Sequence, residues 1–383
     1  MDATQTSAIR LEDVRKEYAD GTVGVHDLTM DIEAGSLTVL VGPSGCGKTT
    51  TMKMINRIIE PTSGRIMLGD DDVTKVDPVQ LRRRIGYVIQ NVGLFPHQTI
   101  RANVATVPKL LGWDRSRINA RVDELLSLVG LEPRTYGDRY PHQLSGGQRQ
   151  RVGVARALGA DPVVLLMDEP FSAVDPVVRE RLQSDILRLQ DTVRKTIVLV
   201  THDIGEAVRL GDKIALMSEG GKVEQYDTPA ALLGKPASDF VADFVGADRG
   251  LKRLAVTDID AEDLEHPPVV HVNDSLADAR AVLDRAEARW AVVLDDNEDL
   301  HGWISLDRAQ GSGTVAQHGR RMEAWVPADA SLKTAFSQML QLNAGWVAVL
   351  DGGRFLGVLT PESLHCALRR SVDGRVPETA GAV

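Results

Sequence analysis

Cysteine is nearly absent from this chain: two among 383 residues, Cys46 and Cys366, far apart in sequence. That excludes a disulfide framework and suits a reducing compartment. Positive charge also runs short, with 44 Lys and Arg against 54 Asp and Glu for a net charge of -10. Domains held to nucleic acid through phosphate contacts are usually basic, so no nucleic-acid partner is expected. Met1-Asp2-Ala3-Thr4-Gln5 lacks the basic start and apolar core of a signal peptide. No window approaches the ~18 uninterrupted apolar residues that a spanning helix needs. A role at a membrane would therefore borrow a partner's helices. What is present is an ordinary globular composition, 43% hydrophobic, with length for two or three domains.

The most informative stretch is Gly42-Pro43-Ser44-Gly45-Cys46-Gly47-Lys48-Thr49, followed by Thr50. It lies between an apolar run, Leu37 to Val41, that reads as a buried strand, and Thr50 to Ile55, which reads as helix. A phosphate loop requires this context. Glycines let backbone N–H groups curl round the phosphates, and the helix N-terminus adds its positive dipole end. Lys48 would bridge the β- and γ-phosphates of a nucleotide and the Thr49 hydroxyl would hold Mg2+.

Around this loop the chain reads as α/β. Residues 9–41 form an antiparallel entry with a turn at Asp20-Gly21, and Tyr18 lies in its first loop. Residues 66–88 read as short strands and turns, closing at Gln90 before Gly93-Leu94-Phe95-Pro96. Apolar residues at helical spacing from Arg117 to Val129 mark an inserted α-helical subdomain, which ends at Leu144-Ser145-Gly146-Gly147-Gln148 before a helix over 149–158. Pro162 to Met167 is an apolar strand that stops at Asp168-Glu169, and Thr196 to Thr201 repeats the design before His202. Runs buried on both faces indicate a parallel sheet, whose C-terminal edge is where such folds place ligands. Asp168 suits Mg2+ through water, and Glu169 suits polarising an attacking water.

Residues 1–246 resemble the nucleotide-binding subunit of an ABC transporter. The phosphate loop fits many NTPases, whereas Leu144-Ser145-Gly146-Gly147-Gln148 matches the specific ABC signature. The resemblance implies a P-loop ATPase with a RecA-like core, an antiparallel β subdomain and a helical subdomain over about 91–160. It makes Tyr18 the base-stacking aromatic, Gln90 the loop glutamine and a Mg2+ ligand with Thr49 and Asp168, Glu169 the catalytic base, Asp175 the D-loop acid and His202 the switch histidine. It implies a head-to-tail homodimer, because Ser145 and Gly147 of one copy close over the ATP bound by the other. It also implies transmembrane permease subunits, docked near Gly93 to Pro96, at the cytoplasmic face of the membrane.

Met54-Ile55-Asn56-Arg57, Ile59 to Gly64, Arg82 to Gln90 and Leu94 to His97 look like importers of quaternary-amine osmoprotectants: glycine betaine, carnitine, choline or proline betaine. Such importers capture substrate with a separate extracytoplasmic protein. An importer for a polar amino acid or polyamine, and a soluble ABC ATPase without transport, are the alternatives. The tail contains an internal repeat: Ser275-Leu276 recurs as Ser331-Leu332, and Trp290 to Asp295 as Trp346 to Asp351, both at an offset of 56. Each unit reads as helix, strand, turn, strand and closing helix. This resembles tandem CBS motifs, 252–309 and 320–370, followed by a disordered tail over 371–383.

CBS pairs commonly place a Ser or Thr and an Asp three residues later on an adenosine ribose. Here Ser305 is followed by Arg308 and Thr360 by Ser363, which speaks against ordinary AMP or ATP binding. Ionic strength and cyclic di-AMP remain as inputs, and a structural, dimer-stabilising tail remains beside them. Trp290, Trp303, Trp325 and Trp346 invite an aromatic cage for a quaternary ammonium. Because the repeat puts Trp290 and Trp346 at equivalent strand starts, packing is the expected role of those two.

Overall fold

A computed structural model describes residues 6–90, 92–172 and 174–373, and the chain divides into two compact units, one made of residues 1–232 and 236–246 and one of residues 233–235 and 247–383. Most of the expected disordered tail lies outside the described residues, and its first three close the last helix, Pro361–Asp373.

The first unit is built on a six-stranded sheet in the order Val223–Asp227, Lys213–Met217, Leu37–Val41, Thr196–Thr201, Val164–Asp168, Ile85–Val88. All neighbours run parallel except the first pair. Every residue of Leu37–Val41, Thr196–Thr201 and Val164–Asp168 is buried, as a sheet covered on both faces demands. A second, antiparallel sheet orders Val23–Ile32, Ile9–Glu17, Ser63–Leu68 and Asp71–Asp72. One apolar core runs through both sheets and the helix Lys48–Ile55, with Leu11, Leu40, Met52, Ile66 and Val200 among its fully buried members.

Two local expectations change. Residues 66–88 contain a helix, Pro78–Arg84, where only strands and turns were expected. Asp77 caps it through the Val79 and Gln80 amides, and Pro78 supplies a φ already suited to the first turn. The helix expected over 149–158 starts earlier, at Gly146, because Ser145 and Gln148 form a capping box. Between Gln90 and that helix lie the helices Ile100–Val104, Thr106–Leu110, Arg115–Leu128 and Pro133–Tyr136, the inserted helical layer.

The second unit holds two similar halves. Each starts with a three-residue strand, Val269–His271 or Trp325–Pro327, that pairs parallel with the strand after its helix. The helices Leu276–Arg285 and Leu332–Gln341 are capped by the repeated serines Ser275 and Ser331. The hairpins are Trp290–Leu294 with Leu300–Ser305 and Val347–Asp351 with Arg354–Leu359. The expected closing helix is Pro361–Asp373 in the second half but only Val315–His318 in the first, beyond the expected boundary at 309. Gly311 and Gly313, both at positive φ, interrupt the stretch that such a helix would occupy.

The halves are joined by exchange. Glu265 exchanges both backbone bonds with Val358, and Leu332 N–H donates to the Thr257 carbonyl. Trp290 and Trp346 stack with ring centroids 4.2 Å apart and planes at 11°. Val292, Leu294 and Val358 are buried beside them. These two tryptophans pack on each other, as their repeat positions suggested.

Candidate active site

The phosphate-loop residues fold as the sequence requires. Gly42 has φ 155, and a Cβ there would lie 2.1 Å from the Met217 carbonyl oxygen. Gly47, at φ 100, caps the helix Lys48–Ile55 from the left-handed region, and a Cβ there would meet the Gly24 carbonyl at 2.6 Å. Both positions need glycine. Lys48 is 6% exposed, and its Nζ donates to the Gly42 and Pro43 carbonyls at 2.7 and 2.8 Å, with Cys46 Sγ at 3.5 Å. The lysine thus lies along the inner side of its own loop.

Three adjacent parallel strands bring the remaining groups to the same edge. The loop that begins at Gly42 leaves the Leu37–Val41 strand, Asp168 ends its strand and Thr201 ends the strand between them. Thr49 Oγ1 donates to Asp168 Oδ1 at 3.0 Å, and Tyr87 O–H donates to Asp168 Oδ2 at 3.4 Å. Burial raises the Asp168 carboxyl above the usual carboxylate range, offset in part by the Thr49 hydrogen bond, with Glu169 adding to the rise. Burial and Asp168 push the Tyr87 phenol up.

Glu169 lies just past its strand with φ 44, a left-handed conformation for a non-glycine residue, held by its N–H on the Val200 carbonyl and by Ser172 on its own carbonyl. Gln90 Nε2 donates to Glu169 Oε2 at 3.1 Å, and His202 Nδ1 stands 3.4 Å from the same oxygen. Gln90, Glu169 and His202 therefore converge on one carboxylate oxygen beside the Thr49–Asp168 pair.

Tyr18, 39% exposed, pairs its hydroxyl with Thr50 Oγ1 at 3.2 Å, which puts its ring beside the loop, with Lys16 Nζ 5.4 Å from the ring centroid. The serine-glycine turn is a self-contained cap. Ser145 Oγ accepts from Gln148 N–H, Ser145 N–H donates to Gln148 Oε1, and Gln148 Nε2 reaches Tyr136 O–H at 3.2 Å. Leu144 is buried, and a Cβ on Gly146 would meet nothing closer than 4.0 Å. Among the described residues no hydrogen bond of Ser145 or Gln148 goes to the Gly42–Thr50 loop. A Cβ on Gly147 would meet Val178 at 2.5 Å, so the turn abuts the helix Pro176–Val193 that Asp175 caps.

Sequence reasoning missed Tyr87 and a buried relay behind His202. Thr201 Oγ1 donates to Glu206 Oε2 at 2.5 Å and accepts from Asp203 N–H, while Arg179 Nε stands 3.8 Å from Glu206 Oε1. Burial raises the Glu206 carboxyl, the Thr201 hydrogen bond opposes this, and Asp203 adds to the rise. The folded protein thus holds the Glu206 proton more tightly than the unfolded chain. The stability from this group is complete below the ordinary carboxylate pKa and is lost as pH rises through the raised one. In Glu206→Gln, which keeps an acceptor for Thr201, the decline of thermal stability across that window is expected to shrink, leaving the share due to Asp168 and Asp263, whose carboxyls burial also raises. Melting temperatures from pH 4 to 8 check this, and an unchanged slope would show that Glu206 does not titrate there.

In the second unit, Ser305 accepts from the Arg308 N–H through its carbonyl, and Arg308 reaches the His318 carbonyl. The Thr360 hydroxyl donates to Glu265 and neighbours Ser363. Trp303 carries Arg320 over its ring at 5.6 Å and Trp325 is half exposed. The four tryptophans therefore divide between a mutual stack, a cation contact and open surface.

Fold and site together define a P-loop ATPase of the ABC type. Residues 25–172 match the ABC transporter family and residues 321–369 match the CBS domain. The osmoprotectant import ATP-binding protein OsmV of Salmonella typhimurium is 41% identical over 92% of this chain and 94% of its own length. The carnitine transport ATP-binding protein OpuCA of Listeria monocytogenes is 42% identical over 97% of this chain and 94% of its own. The dimeric, post-hydrolysis ATP-binding cassette MJ0796, bound to ADP and Pi, is 32% identical with a TM-score of 0.52, over 58% of this chain and 98% of that one. The chain belongs to the family of ABC transporter ATP-binding subunits of osmoprotectant importers, and ATP hydrolysis is its reaction.

Proposed function

We propose that two copies of this chain close head to tail around two ATP molecules and energise the import of quaternary-amine osmoprotectants through a transmembrane permease. The convergence of Gln90 and His202 on one oxygen of Glu169, beside Thr49 and Asp168, carries the catalytic half of this reading. Identity with osmoprotectant and carnitine transport proteins across both units carries the substrate.

In this reading Gly42 to Thr50 wraps the triphosphate, Lys48 neutralises its β- and γ-oxygens and Tyr18 stacks on the base. Thr49, Asp168 and the Gln90 carbonyl hold Mg2+; Thr49 and Asp168 already stand together as the hard oxygen donors this ion takes. Held there, the ion would supply positive charge against the phosphate oxygens. Glu169 takes the proton of the attacking water, His202 fixes the Glu169 carboxylate, and Ser145, Gly146 and Gly147 of the second copy cover the γ-phosphate. Asp175 holds the helix against which that turn rests. No helix among the described residues is long and apolar enough to cross a membrane. Likeness to import ATP-binding proteins supports action at the cytoplasmic face on permease subunits seated over Phe95, with an extracytoplasmic protein delivering substrate.

The tail, with 252–309 as the first CBS motif and 320–370 as the second, gates transport in response to ionic strength or to cyclic di-AMP. Uptake of labelled glycine betaine, carnitine and choline into vesicles that hold the chain and its permease, across a series of salt concentrations with and without cyclic di-AMP, tests both parts. Betaine uptake that requires ATP is the expected result; its absence under every condition refutes the substrate. Removal of residues 252–383 is expected to leave hydrolysis intact and to flatten the response to salt or to the dinucleotide. An unaltered response reduces the tail to a structural part.

A further inference from the structure

The loop after Gln90 rests on the helix Gly146–Ala157, which starts at the serine-glycine turn. Val92 and Gly93 both have φ 55, a conformation that turns their carbonyls toward the last turn of that helix. There Arg156 donates through Nη1 to the Gly93 carbonyl at 2.6 Å and through Nη2 to the Val92 carbonyl at 2.7 Å. One planar fork spans both groups, which a lysine ammonium cannot do. One turn back, Gly153 lets Val92 sit on the helix: a Cβ there would lie 2.7 Å from Val92 Cγ1. On the far side the fully buried Asn103 accepts from Phe95 N–H and donates to the carbonyls of Phe95, Gln98 and Thr99. The loop is therefore anchored to helical elements at both ends, and just before it Gln90 reaches Glu169.

We propose that Arg156 is a positioning residue for ATP hydrolysis: it fixes the loop after Gln90 to the helix that Ser145 caps, so that the glutamine beside Glu169 follows the position of the serine-glycine turn. One end of this rigid element serves the chain's own site and the other covers the triphosphate held by a partner copy. Displacement of the turn in one site therefore shifts Gln90 in the other. The inference rests on the head-to-tail closure proposed above.

The test measures steady-state ATP hydrolysis by the full-length chain against ATP concentration. Arg156→Met is expected to lower kcat by about 10- to 100-fold, the cost of a misplaced catalytic group, and to remove cooperativity in ATP. Binding of a fluorescent ATP analogue should stay within about twofold of wild type, since the phosphate loop is untouched. Arg156→Lys is expected to recover part of kcat. Gly153→Ala improves helix propensity while displacing Val92, so it should lower kcat without lowering the melting temperature. A kcat for Arg156→Met near wild type overturns the proposal. So does a loss of kcat that in both Arg156→Met and Gly153→Ala only tracks weakened analogue binding and a lower melting temperature. ATP-dependent dimerisation of Glu169→Gln separates the two readings: without a dimer the closure itself fails, whereas a dimer with an unaffected Arg156→Met rejects the positioning role alone.

Discussion

Glu169→Gln is expected to reduce ATP turnover by at least about 10²- to 10³-fold, the contribution of a positioned general base, while ATP-dependent dimer formation persists. The substitution is isosteric and retains an acceptor for the Gln90 amide, so the approach of Gln90 and the strand end on Val200 should survive. What disappears is the carboxylate that, in the mechanism proposed above, accepts the water's proton. Phosphate release gives the rate, and light scattering with ATP and Mg2+ gives the mass. Wild-type turnover in this variant would remove Glu169 from the chemistry and leave His202 without a role at 3.4 Å from it.

A mixed-copy experiment has the second largest expected effect. Lys48→Ala disables a chain's own phosphate loop, and Ser145→Arg blocks the turn it offers to a neighbour. Each variant alone is expected to be nearly inactive. Mixed in equal amounts, they should recover turnover up to about a quarter of the wild-type rate: half of the twofold pairs are hybrids and each hybrid keeps one intact site, and coupling between the two sites lowers what that site delivers. Recovery is specific to completion of the site between copies. If the mixture stays as inactive as its parts, the Ser145 turn serves its own chain or none. The cap argues that Ser145 also matters locally: its loss costs about 1 kcal/mol, so the melting temperature of Ser145→Arg is measured beside its rate.

The central site was legible because its strands are apolar on both faces and stop abruptly. Leu37–Val41, Val164–Asp168 and Thr196–Thr201 read as buried runs, and the polar residues after them had to share an edge once the sheet was parallel. Less visible was whatever depends on contact between distant residues. Tyr87 meets Asp168 across 81 positions and Arg156 meets Gly93 across 63, with no local pattern to announce either. The helix Pro78–Arg84 buries only Leu81 and so has no apolar stripe; Asp77-Pro78 was its one signal. In the tail the offset of 56 exposed the repeat, but the strands Val269–His271 and Trp325–Pro327 are too short for alternation to mark them. Glu206 was hidden for another reason: an acid on a short helix reads as solvated, and only its burial behind Thr201 reveals it.

The exchange at residues 257–265 bears on how the tail melts. That segment opens the first half in sequence yet hydrogen-bonds to the second, through Thr257 to Leu332 and Glu265 to Val358, while Leu254 packs among Val326, Val347 and Leu359. The second half lacks a complete perimeter without that segment of the first. Heating or denaturant should therefore dissolve both in one cooperative step, and a protease cut between them would strip the later half of its outer strap.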